Sequence, residues 1–473
     1  MARYPPRRMD VQPDPGQRQG RAAATRTGRG VVRAGAATVG LEGGGHGTGG
    51  HGPAGWGGRT VAPYRARRAA SIVICPNALL AAICLTALVF VSFLGRAGVI
   101  IFLLSGLLLI LRRADASWRA IHAHGWLLLL PLWCVASALW SEHPDLSARH
   151  GTQVLITFVI AAVLATRLSP TVFLKVTLLG LTVAGTASLV IGDMRDDGVW
   201  IGIFESKNYY AFTMVVLLLA SCALLVGRRT PIRWRLAGLG GAGMALPQIV
   251  MAESLGAAIA ALAALGTAVV VLHVQNLPPP RRARRMALLA AVGLGAAGAA
   301  LSLHQTIVSA VIDLTGKDPT LTGRTDLWAA ALDEIRHAPW LGTGYRGFWV
   351  QGNALAEALW VEFHIPSRSG FNFHNLFLES AVEIGLVGAA LHLMLLGAAL
   401  FLCCRWLLST GDAPAVFFFT VVTFVAILAM VEVPVFSEFQ MLTVAVLAGL
   451  VYGQRAVREL SISRPAPSVE APA

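Results

Sequence analysis

Charge is what this sequence has least of. Asp, Glu, Lys and Arg make up 13% of its 473 residues, about half the roughly 25% usual in a soluble domain. Lysine is almost missing. Lys175, Lys207 and Lys317 are the three present, so the balance of 38 basic against 25 acidic residues is carried by arginine. A chain so poor in charge, 55% hydrophobic and built of repeated long apolar runs, reads as a polytopic membrane protein rather than a soluble enzyme. Cysteine is sparse too. Cys75, Cys84, Cys134, Cys222, Cys403 and Cys404 show neither metal-ligand spacing nor a disulfide framework and read as small packing residues. No His, Cys or carboxylate cluster has metal spacing. No P-loop or dinucleotide glycine motif occurs. The residues therefore call for no metal or other cofactor. The arginines form no nucleic-acid patch; they cluster at the ends of apolar runs, where they set topology.

Residues 1–70 form an Arg, Gly and Pro-rich tail that cannot bury enough apolar surface to fold. It lacks the apolar core of a secretory signal. Its basic end, with Arg59, Arg65, Arg67 and Arg68, precedes the first apolar run. About twelve stretches of membrane length follow, near 76–94, 97–111, 125–140, 152–166, 170–191, 209–226, 236–252, 255–274, 286–303, 375–402, 414–431 and 438–454. Alternate loops carry the arginines: Arg112, Arg113 and Arg119; Arg167; Arg228, Arg229, Arg233 and Arg235; Arg281, Arg282, Arg284 and Arg285; Arg405; Arg455 and Arg458. The other loops hold few basic residues. That bias predicts cytoplasmic termini. The expected fold class is all-α, with about twelve transmembrane helices. The expected organisation is nine helices over 71–303, a long, partly helical periplasmic loop over 304–373, three helices over 374–456, and a disordered end over 457–473.

The informative stretch runs from Leu321 to Gly388. Leu327, Ala331 and Ile335 give an apolar stripe at helical spacing, and Pro339 limits the helix. The stripe, with Trp340, Tyr345, Phe348 and Trp349, suits a segment lying at the membrane interface; Trp340 and Trp349 read as anchors at headgroup level. Gly342, Gly344 and Gly347 permit close backbone approach. Arg324 is placed just before the first helical turn, where its guanidinium can fork onto phosphate oxygens. His374 and Asn375 open the tenth apolar run, and His374 is a candidate base toward a hydroxyl. Glu379 and Glu383 share a helix face at i, i+4 spacing and either bind a cation or sugar hydroxyls or only line the helix. The short loop at 432–439 carries Glu432 and Glu438. Lys175 is expected to snorkel, and His392 to be a satisfied packing histidine.

These blocks resemble the bacterial O-antigen ligase and polysaccharide polymerase membrane proteins. GRTDLW, PWLGTGYRGFW and HNLFLESAVEIGLVG look like that family's periplasmic loop and following helix. His374-Asn375, nine residues, then Gly385-x-x-Gly388 matches its histidine motif. The arginine motif is looser, with Leu327 three residues after Arg324 and Trp328 at the fourth. ALWSEHPDLS at 138–147 and WIGIFESKNYYAF at 200–212 agree as well, and Lys207-Asn208 resembles the exopolysaccharide polymerases more than the ligases. MAESLGAAIA at 251–260 departs, because a basic residue is usual near Leu255. The resemblance spans roughly residues 75–455.

It implies glycosyl transfer at the periplasmic face of the bacterial inner membrane. The donor would be a glycan on undecaprenyl diphosphate, and the acceptor a second glycan or a lipid. Arg324 and His374 would be catalytic. Lys207, ahead of Arg195, with Asn208, Asn375 and Glu379, would bind diphosphate or glycan, and no metal would be needed. A hydrophobic groove for the lipid tail is expected beneath the loop. A flippase and a chain-length regulator are the protein partners implied. Polymerisation is the favoured activity and transfer to lipid A core the alternative. A transporter is the competing class, but it would put charges at mid-membrane and show two related halves.

Overall fold

The computed structural model describes residues 76–302 and 320–462. The Arg, Gly and Pro-rich tail, Lys317 and the last residues of the chain lie outside them.

The first helices are α1 (Pro76–Val89), α2 (Val91–Leu94), α3 (Arg96–Leu111), α4 (Ala114–Ala123) and α5 (Leu129–Ala136), the last flanked by 3-10 turns. Then come α6 (Pro144–Arg167), α7 (Pro170–Ile191), a two-stranded hairpin β1 (Asp193–Met194) and β2 (Trp200–Gly202), α8 (Lys207–Val226), α9 (Ile232–Met251), α10 (Leu255–Gln275) and α11 (Pro279–Ser302). After the undescribed segment follow α12 (Thr320–His337), α13 (Ala354–Glu362), α14 (Leu376–Thr410), α15 (Ala413–Leu428) and α16 (Met441–Ile462).

Each expected apolar stretch falls on a helix, but not all of these are spans by themselves. Among the described residues, α6, α7, α8, α10 and α14 are long and apolar enough to cross a membrane, and α3 with α4 forms a sixth candidate bent by 101°. α1 and α15 are apolar but have 14 and 16 residues, short of the roughly 20 that a bilayer needs. The protein is an all-α, multi-pass membrane protein.

α15 is the centre of the bundle. It is apolar on every face and buried from Ala413 to Val425, as a helix surrounded by other helices must be. It packs on α8, α10, α14 and α16. Its Thr420 and Thr423 return their hydroxyls to carbonyls one turn earlier, so neither hydroxyl is left open on this helix.

The arginine-rich loops share one end. Arg167 donates to Arg113 O at 2.8 Å. Arg228 N bonds Gly411 O at 3.0 Å, its guanidinium reaches Asn276 at 2.8 Å, and Arg282 reaches Gln275 O at 2.7 Å. Lys175 lies 4.6 Å from the ring centre of Trp234, a cation–π seat rather than a free snorkelling position. His392 is buried as expected, close to Gly388 O at 3.0 Å and Ser380 Oγ at 3.1 Å.

α14 is not one straight helix. It breaks at Ile384 and Gly385, whose φ of 71° and ψ of 179° no other residue type readily adopts. The turn after α12 fills the break. Thr343 N bonds Val382 O at 2.9 Å, Gly344 N bonds Glu383 O at 2.7 Å, and Leu386 N bonds Pro339 O at 2.8 Å. Trp133 closes the set through Ile384 O at 2.9 Å. The groups released by the break are thus satisfied from outside the helix, as burial demands. A Cβ on Gly385 would lie 2.0 Å from Trp340 O, and one on Gly342 would lie 2.5 Å from Val382 O. These glycines serve contact rather than flexibility.

The segment from α12 to the start of α14 has its own small core. Leu327, Ala331, Phe348, Leu359, Trp360, Phe373 and Val382 are buried together. Two expectations are corrected here. The Leu327 and Ala331 stripe faces this core, not an interface. Trp349 is no headgroup anchor, because it packs on Phe348, Phe371 and Phe373 and donates to Glu379 at 3.1 Å. Trp340 is 66% exposed and is free to take that role.

Candidate active site

Glu432, one short stretch beyond the central helix, is where the site converges. Its Oε1 accepts from Arg324 at 2.8 Å and from Asn208 at 3.1 Å. Its Oε2 lies 3.0 Å from His374 Nδ1. Arg324 also donates to Val431 O at 2.9 Å, and Ser254 donates to Asn208 at 3.1 Å. Five segments therefore meet: the first turns of α12, the residue before the cap of α14, the starts of α8 and α10, and the stretch after α15.

Local structure explains the convergence. Asn375 caps α14 by accepting from Phe377 N and Leu378 N, and its amide donates to Met430 O at 3.0 Å. Leu376 N bonds Ala429 O at 2.9 Å. The start of α14 is thereby fastened to the end of α15, which sets His374 beside Glu432. The residue is held at a φ of 49° by its N–H to Asn372 at 2.8 Å, a turn that Asn side chains favour. On α12, Arg324 and Trp328 stand one turn apart, and Trp328 donates to Phe373 O at 2.8 Å. The Trp at the fourth position after Arg324 thus locks the helix that aims the arginine. Arg324 lies within α12 rather than ahead of it, since the helix begins at Thr320.

An ionised carboxylate only accepts, so Glu432 selects the His374 tautomer with hydrogen on Nδ1 and leaves Nε2 with its lone pair. The His374 side chain is 26% exposed, and Glu432 13%. An oriented base that is still reachable suits proton abstraction from a hydroxyl. Arg324 spends two donors on Glu432 and Val431 and keeps others for an anion.

The remaining expected site residues divide. Lys207 opens α8 next to Asn208, and no described residue pairs with it, so it is a cation available at the edge of the cluster. Arg195 is not brought in. It pairs with Asp197 at 2.7 Å, both about half exposed, in the β1–β2 hairpin. Glu379 is also not open to sugar or cation, because its oxygens are committed to Trp349 and to Phe373 N at 2.7 Å. Asn375 is a cap and a fastening. Ser254, from the segment that departed from the family pattern, joins the cluster through Asn208.

A second cluster surrounds Glu438. His150 Nδ1 lies 3.0 Å from Oε1, and Tyr345 and Arg346 donate to Oε2 at 3.3 Å and 3.5 Å. Burial pushes the Glu438 carboxyl up, but the His150 hydrogen bond and the Arg346 charge outweigh it and hold it at about 2. One short loop thus supplies both acidic centres. The signal for them was present, two acids in a short loop after an uncharged helix, but nothing in the sequence tells which residues they meet. Among the described residues, no group of three or more His, Cys, Asp or Glu is arranged to hold a metal ion.

The O-antigen ligase family matches residues 240–393, a range that takes in Ser254, Arg324 and His374. The exopolysaccharide production protein ExoQ of Rhizobium meliloti (strain 1021) is 31% identical over 328 residues, covering 66% of this chain and 73% of its own length. The chain belongs to the O-antigen ligase and polysaccharide polymerase family. The family is one of membrane enzymes of polysaccharide synthesis, and the cluster of Arg324, His374 and Glu432 is the candidate site in this chain.

Proposed function

We propose that this protein polymerises undecaprenyl-diphosphate-linked oligosaccharide repeats at the periplasmic face of the bacterial inner membrane. The observation that carries the reading is the Glu432 cluster, in which one carboxylate orients both a base and a phosphate-competent cation. The acceptor hydroxyl gives its proton to His374 Nε2 as its oxygen bonds the anomeric carbon of the donor. The bond from that carbon to the diphosphate oxygen breaks, and the lipid diphosphate leaves. Arg324 and Lys207 stabilise the charge that develops on it. This scheme needs no divalent ion.

The arginine-rich loops, gathered at the end of the bundle opposite the cluster, support cytoplasmic termini and an outward-facing site. Twelve spans in all, the shorter helices completing the count, fit that topology. Flippase and chain-length regulator partners belong to the same reading. A narrow apolar crevice lined by Val89, Tyr209, Phe212, Val216 and Pro434, of which Tyr209 and Pro434 closely follow Asn208 and Glu432 in the chain, is where this reading places the start of the lipid tail.

Likeness to an exopolysaccharide production protein favours polymerase. The matched family's description favours the second reading, ligation of glycan to lipid A core. Lipid-linked repeats supplied to the purified protein in liposomes distinguish them. A ladder of longer lipid-linked chains is the expected product. Transfer only to a separate lipid acceptor supports the ligase, and no transfer with either acceptor rejects both.

A further inference from the structure

At the other end of the bundle lies a cleft of about 560 Å³, within the size range of small-molecule sites. It is separated from Glu432 by the length of α8, roughly 30 Å at 1.5 Å per residue. Lys175, Arg228, Arg229 and Trp234 line it, with Thr171 and Thr410. We propose that this cleft binds the phosphodiester headgroup of an anionic phospholipid, with the acyl chains running down α9.

Three independent features point to an anion. Lys175, Arg228 and Arg229 face a single acid, Asp412. One oxygen of that acid, Oδ1, is taken up by the helix start, accepting from Ala415 N at 3.3 Å and from Thr410 at 2.8 Å, and three cations still outnumber its single charge. The positive ends of α7, α9 and α15 all open at the cleft, through Thr171, Pro231 and Ala413, and their dipoles add to the side-chain charge. Trp234 lines the cleft, and its buried indole N–H has no acceptor among the described residues, an unmet donor at the cleft wall. Arg229 likewise has no partner among the described residues and is held at a φ of 61°.

A lipid, rather than a free phosphate, follows from the surface beside the cleft. Ile232, Leu236, Leu239, Leu246 and Val250 are each more than half exposed. Their spacing of four, three, seven and four residues keeps them on one face of α9. The face begins at the cleft rim and runs along the bundle, the path two acyl chains would take from a headgroup seated there.

The test uses the full chain in mild detergent, titrated with phosphatidylglycerol, phosphatidylcholine or inorganic phosphate, with retained lipid read by native mass spectrometry and stability by thermal melting. Phosphatidylglycerol should be retained and should raise Tm, whereas phosphatidylcholine should do neither. Lys175→Ala with Arg229→Ala should weaken phosphatidylglycerol binding roughly twentyfold to thirtyfold, about fivefold for each cation near a lipid headgroup. Arg229→Glu, a surface change, should weaken it on its own if the double variant does not fold. Equal retention of the two lipids, unchanged binding by Arg229→Glu, or a full Tm shift from inorganic phosphate alone would overturn the proposal. Glycan transfer does not enter these readouts, so the result stands apart from the activity assigned to the Glu432 cluster.

Discussion

Glu432 gathers Arg324, His374 and Asn208, which lie 108, 58 and 224 positions from it along the chain. At this scale the roles separate cleanly by substitution. His374→Ala removes the proposed base and should lower product formation by about 10²–10⁴-fold. Arg324→Ala should do at least as much through lost charge stabilisation, with expression and membrane insertion retained in both. Glu432→Gln keeps the shape but lets an amide N–H face the imidazole. It should cost roughly tenfold or more through the wrong tautomer, checked by initial rates on lipid-linked repeats. Normal rates for His374→Ala would remove the histidine from the mechanism.

Glu438 gives a pH-dependent counterpart. Its carboxyl is held at about 2, below the ordinary 4.5, so the folded state binds this proton less tightly than the unfolded chain does. The stabilisation is therefore fully present above pH 4.5 and fades as pH falls toward 2. Wild type should exceed Glu438→Gln by up to about 3 kcal/mol near neutral pH. Melting both proteins across that range should show the gap closing, and a gap independent of pH would exclude the charge as its cause.

Among elements, the broken α14 matters most. The sequence marked the spacing from His374 to Gly385 and Gly388 without revealing that the helix stops between them. In the structure Gly385 lets the turn at Pro339–Gly344 enter the break, and a Cβ on Gly388 would lie 2.2 Å from the Ile384 side chain. Gly385→Ala should cost at least about 2 kcal/mol, combining backbone strain with collision at Trp340 O. Gly397→Ala, on the same helix where an added Cβ meets nothing, should be neutral or slightly stabilising. Thermal melting of the two variants side by side makes the comparison. The α12 stripe was legible as a helix for the ordinary reason of its period. Its burial partner was not, because a period of 3.6 shows which face is apolar and not what covers it.

For the molecule as a whole, the site is an assembly of loop ends held at one end of a bundle whose centre is α15. In the proposed scheme arginine and histidine supply its chemistry, so purified protein should retain full transfer activity in excess chelator. A strict divalent-ion requirement, seen as loss in chelator and recovery with added ion, would overturn the scheme of cations drawn from side chains.

The sequence by itself determined the membrane character, the helical class, the arginine-bearing end and the candidate pair Arg324 and His374. Those are properties of composition, period and charge order, which survive without knowledge of contacts. Tertiary structure alone decided that Glu432 joins that pair. It also committed Glu379 to the small outer core, left Arg195 in its hairpin, and turned a glycine-rich turn into the filling of a helix break. The physical reason is common to all of these. A carboxylate or amide acts through whatever lies within about 3 Å, and in this fold those neighbours come from distant parts of the chain.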